Sequence, residues 1–123
     1  MQNVVIITNN PTVCEKYEHV LYYEAPVEEI LIKVRDMVHN GYELISHPLP
    51  ASLRMMFSPY RSIIVGKKLE KIDPFSVEVI EDSLIKYRNH MDFRRIDTVN
   101  KDDYKLVDQL LLESSLQEAK AIS

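Results

Sequence analysis

Val4-Val5-Ile6-Ile7-Thr8-Asn9-Asn10-Pro11 sets the architecture that the rest of the chain must fit. Four β-branched apolar residues in a row suit a strand buried on both faces, as at the centre of an α/β sheet. The small polar groups that follow predict a loop at the carboxyl edge of that sheet, where open α/β sheets collect ligands. Asn10 is a good helix cap and Pro11 a good opening residue, so a strand over 3–8 should lead into a short helix over 12–17. The same grammar returns at Leu44-Ile45, followed by Ser46-His47-Pro48-Leu49. Two polar loops at one edge predict a binding region there.

Working outward, Val20-Leu21-Tyr22-Tyr23 reads as a second strand. Pro26 opens the clearest helix, with Glu28 and Glu29 in the first turn where the dipole favours carboxylates, and Gly41 closes it after Asn40. Val27, Ile30, Leu31, Val34, Met37 and Val38 form its apolar stripe. A third strand is predicted over 42–46. Residues 47–60 carry Pro48, Pro50 and Pro59 and no period, so they read as a long loop. Within it Met55-Met56-Phe57 is either a lid over a ligand or, more simply, a plug into the core. Ser62-Ile63-Ile64-Val65 is a fourth strand. With no crossover helix ahead of it, it should return antiparallel to the third, which starts Tyr60-Arg61-Ser62 at the same edge as the Thr8 and Ser46 loops.

Two helices finish the chain. Asp73 and Pro74 open the first, with Val77, Ile80, Leu84, Tyr87 and Met91 facing inward. Asn100, with Asp103 three residues on, opens the second, and Tyr104, Val107, Leu110 and Leu111 form its expected apolar side. The tail 117–123 has little to bury and is expected to fray. The fold expected is α/β: one three-layer domain over 1–123, with a mixed sheet of about four strands, helices on both faces and a helical C-terminus. Strand order is left open.

Composition narrows the function. The formal net charge is −4, from 15 basic and 19 acidic side chains, which argues against a nucleic-acid surface because phosphate binding needs clustered positive charge. Cys14 is the single cysteine, so no intrachain disulfide or cysteine-rich metal site is expected. His19, His39, His47 and His90 show no metal-ligand spacing, and two glycines, Gly41 and Gly66, cannot build a glycine-rich phosphate loop. No mark of a flavin, nicotinamide or metal cofactor is present. The N-terminal apolar run is too short for a signal peptide or membrane span, which leaves the cytoplasm as the expected compartment.

The expected ligand-binding residues are Thr8, Asn9, Asn10, His47, Tyr60, Arg61 and Ser62. Each has a plainer alternative. His47 is the one candidate catalytic base, but it could simply bond a loop carbonyl, and a base of this kind wants an orienting carboxylate, with Glu24, Asp36 and Glu43 nearest in sequence. Asn9 and Asn10 can present amides to a ligand or cap the first helix. Arg61 suits a carboxylate or phosphate, though an arginine at a strand start is commonly solvated. Cys14, near a helix start, is better read as packing than as a reactive thiol.

With these blocks laid out, the chain resembles the GrdX family, small proteins encoded with the glycine/sarcosine/betaine reductase system of amino-acid-fermenting anaerobes. The resemblance runs through Thr8-Asn9-Asn10-Pro11, Lys33-Val34-Arg35-Asp36, Val38-His39, Gly41 and His47-Pro48-Leu49. It continues through Pro59-Tyr60, Ser62-Ile63-Ile64 and Ile80-Glu81-Asp82-Ser83, covering about residues 4–85. It implies a cytoplasmic accessory role beside reductive cleavage of glycine or its N-methylated relatives, and brings no catalytic residues with it. The reductase chemistry it implies uses selenocysteine and thiols on other subunits, whereas this chain has Cys14 alone.

Three functions follow as expectations. The leading one is a non-catalytic accessory or regulatory protein binding a small anionic metabolite or a reductase component at the polar edge. The second is a small enzyme with His47 as general base. The third is a homodimeric interaction module without a pocket, acting through Leu106, Leu110, Leu111 and Leu112.

Overall fold

The computed structural model describes residues 4–122, with side chains to residue 120. The expected strand start at Asn3 and the last residue of the tail, Ser123, lie outside the described residues. The elements run β1 (Val5–Thr8), α1 (Pro11–Lys16), β2 (Val20–Tyr22), α2 (Val27–His39), β3 (Tyr42–Leu44), β4 (Ser62–Lys68), α3 (Pro74–Met91) and α4 (Lys101–Ile122). Local chemistry explains the starts and stops. Asn10 accepts from the Thr12 N–H to cap α1, and Asp73 accepts from the Ser76 N–H to cap α3, each with proline at the opening position. Gly41 ends α2 at φ +99°, a conformation that side chains disfavour.

The four strands form one mixed sheet in the order β2-β1-β4-β3. β1 lies parallel to β2, with Ile6 beside Val20, and antiparallel to β4, with Thr8 beside Ser62. β3 is antiparallel to β4. Three strands therefore end, and β4 begins, at one edge, which brings the Thr8, Ser46 and Arg61 segments together as the pattern requires.

Alternation along the strands builds the layers. Ile7, Ile63 and Val65 face a core shared with Ile30, Leu31 and Val34 of α2 and Ile80 and Leu84 of α3. Ile6 and Ile64 face the opposite way, onto Val13 of α1 and Leu112 of α4. Ile7, Ile63 and Ile64 are fully shielded, each contributing about 1.5–3 kcal/mol of burial. Helices thus cover both faces, and the helical C-terminus crosses one of them.

Several local expectations need correction. The long loop holds a 3₁₀ turn, Leu53–Phe57, that periodicity does not reveal, because Met56 anchors it by entering the α2–α3 core. β3 stops at Leu44: its pairing with β4 is irregular between Tyr42 and Leu44, and beyond Leu44 both Ile45 and Ser46 donate to the Ile64 carbonyl. Cys14 is exposed, because Val13 is the buried residue of α1. The largest change is in α4. Leu110 and Leu111 are 51% and 47% exposed, and the buried residues are Asp108 and Leu112. The inward stripe is Tyr104, Asp108, Leu112 and Leu116, one turn apart, and it includes an aspartate that finds partners across the interface.

Candidate functional site

The sheet edge is held by a buried polar network whose members come from the opening motif. The Asn10 N–H donates to Thr8 Oγ1 at 2.9 Å, and Thr8 Oγ1 lies 2.7 Å from Ser62 Oγ. Ser62 Oγ donates to Asp108 Oδ2 at 2.7 Å. Since that bond uses the serine proton, Thr8 is the donor to Ser62. Asn10 closes the ring: Nδ2 reaches Asp108 Oδ2 and the Lys105 carbonyl, both at 3.0 Å, while Oδ1 accepts from the Thr12 N–H and hydroxyl. One asparagine therefore caps α1 and ties it to α4.

Asn9 joins two other segments. Its Nδ2 donates to the Ala25 and Pro59 carbonyls, both at 2.8 Å, and its Oδ1 accepts from the Arg61 N–H at 2.8 Å. Thr8, Asn9 and Asn10 are all buried, and their side chains meet protein groups.

A cleft of ≈ 750 Å³ opens between α4 and the β3 side of the sheet. Its position follows from the layers, since α4 packs along β4 and α1 sits beside β2, and the cleft opens on the β3 side of α4. Of the expected ligand residues His47, Tyr60, Arg61 and Ser62 line it, together with Asp108. Ile45, Leu49, Met55 and Leu111 supply apolar wall. The volume falls in the range of small-molecule sites. Tyr60 carries the Lys105 ammonium 5.7 Å from its ring centroid. His47 is exposed, and its Nδ1 accepts from the Leu49 N–H at 3.1 Å. Among the described residues no carboxylate stands within 4.0 Å of that ring.

Two charges are buried at this cleft. Arg61 is 6% exposed, so it is not a solvated strand start, and it donates from Nη1 to the Pro48 carbonyl at 3.2 Å and from Nη2 to the Met55 carbonyl at 3.4 Å. Burial holds its guanidinium below the usual arginine range, and the fields of Asp108 and Tyr87 oppose that. Asp108 is 5% exposed, and burial pushes its carboxyl up, against the hydrogen bonds from Asn10 and Ser62 and the Arg61 charge. Each feels the other, yet among the described residues they form no ion pair within 4.0 Å. Sequence reasoning missed Asp108. The available signal was an acid one turn after Tyr104 and one turn before Leu112.

Among the described residues no group of three or more His, Cys, Asp or Glu side chains could hold a metal ion. None of the described helices is long and apolar enough to cross a membrane.

This arrangement defines a small α/β domain with a ligand-sized recess and two buried charges beside the carboxyl edge of its sheet. A family model described as GrdX-like protein matches residues 5–117, and the chain belongs to the GrdX family. Membership suggests association with glycine reductase systems. No curated protein and no solved structure matches the chain.

Proposed function

We propose that this chain is a non-catalytic accessory or regulatory protein of a glycine/sarcosine/betaine reductase system, and that its cleft binds a small anionic metabolite or a reductase component presenting such a group. Arg61 carries the reading. A guanidinium withdrawn from water favours a contacting anion, and two backbone carbonyls engage only part of its five N–H donors. A carboxylate or phosphate entering the cleft would supply the missing contact in the fork geometry that arginine suits. The family supplies the metabolic setting.

The enzyme reading rests on His47 as base, and it lacks support in the geometry. The ring bonds its own loop and has no orienting carboxylate in reach among the described residues.

Calorimetric titration with small carboxylates and phosphate tests the proposal against an Arg61→Gln variant, whose fold is checked by circular dichroism. Binding to the natural chain should weaken about tenfold or more in the variant, the effect of losing one charged hydrogen bond. Equal affinity in both proteins would remove Arg61 from the site.

A further inference from the structure

Arg61 immediately precedes β4, and Ser62 is the first residue of that strand. Ser62 points to the α4 side and donates to Asp108. Arg61 lies toward the α3 side, where it feels Tyr87, and bonds the loop carbonyls of Pro48 and Met55. Each charge thus already holds partners of its own, and among the described residues the two form no ion pair within 4.0 Å. Both nevertheless line one cleft. The two side-chain bonds that Asp108 accepts fall on Oδ2.

The signs decide what fits between them. A simple anion would gain the Arg61 attraction but meet Asp108 repulsion in the same low-dielectric recess. A simple cation would gain the attraction of Asp108, and of Glu43 and Glu118 that also line the cleft, but meet Arg61 repulsion. A molecule with both charges, set a few bonds apart, gains from each and leaves neither protein charge uncompensated. The walls of Ile45, Leu49, Met55 and Leu111 leave apolar room beyond the charged head.

We infer that the cleft takes a small zwitterion of the α-amino-acid class, its carboxylate toward Arg61 and its ammonium group toward Asp108. The inference rests on the anion-site reading above and sharpens it, because it makes the positive group as necessary as the carboxylate.

Matched sets of probes separate the two. Glycine is titrated beside acetate and methylamine, and leucine beside 4-methylpentanoate and 3-methylbutylamine, so that each zwitterion is compared with its two half-molecules. At least one zwitterion should bind, and both its halves should bind about tenfold or more weakly, the lower end for one charged hydrogen bond. Asp108→Asn keeps the size and the acceptor for Ser62. It should weaken the zwitterion about tenfold and leave the carboxylate-only probe unchanged or tighter. If the carboxylate-only probes bind the natural chain as well as the zwitterions do, the inference falls while the anion site stands. If no probe carrying a carboxylate binds, both fall.

Discussion

Asp108 is buried at the cleft, and its ionisation is opposed by burial more than it is helped by Asn10, Ser62 and Arg61. A raised carboxyl pKa means that the folded chain holds this proton at a pH where the unfolded chain has released it. Its contribution to stability is thus fully present below the ordinary aspartate pKa of about 4 and is lost as pH rises through the higher folded value. Asp108→Asn removes that dependence. The stability of the variant relative to the natural chain should rise as pH is taken from about 4 towards neutrality, read from denaturant midpoints of both proteins at each pH. A constant difference across that range would show that Asp108 is not raised. The same residue marks a limit of sequence reading. Asn10 as a cap was legible because caps are local chemistry, but the burial of Asp108 depends on a hydroxyl and an amide from residues 46 and 98 positions away. Arg61 divides in the same way, since its place at the edge followed from strand direction and its burial depended on how the 47–60 segment folds over it.

α2 and α4 show when a helix face can be found from sequence. The stripe of α2 is continuous and apolar, and Val27, Ile30, Leu31, Val34 and Val38 are indeed the buried set. On α4 apolar residues occupy more than one face, so hydrophobicity alone selected the outward group. Packing against Ile6 and Ile64 uses Leu112 instead. Leu112→Ala should therefore destabilise the fold by about 2–5 kcal/mol. Leu110→Ala should stay within about 0.5 kcal/mol of the natural chain. Urea unfolding of the two variants checks this, and a larger loss at Leu110 would reverse the assigned face. The 3₁₀ turn was hidden for a related reason, as it is held by Met56 in a core that no local period announces.

The order β2-β1-β4-β3 makes the whole molecule a three-layer domain with its polar segments at one edge. β4 running against its neighbours delivers Arg61 and Ser62 to the ends of the other strands, and α4 brings Asp108 across to meet them. The layer scheme and the edge were legible because strand runs, caps and connection lengths act locally. The cleft was not, since it arises where α4 leaves the β3 side open, and sequence gave no strand order. Membership of the GrdX family supplies a setting, and the buried charges supply the chemistry. The most direct measurement is thermal unfolding of the purified chain against glycine, sarcosine, betaine, acetyl phosphate, phosphate and common nucleotides. A ligand at a hundred times its dissociation constant adds about 2.7 kcal/mol, which raises the midpoint by several degrees for a chain of this size. The account predicts such a shift with at least one carboxylate or phosphate compound, lost in Arg61→Gln. An unchanged midpoint with every compound would contradict a small-molecule site in the cleft.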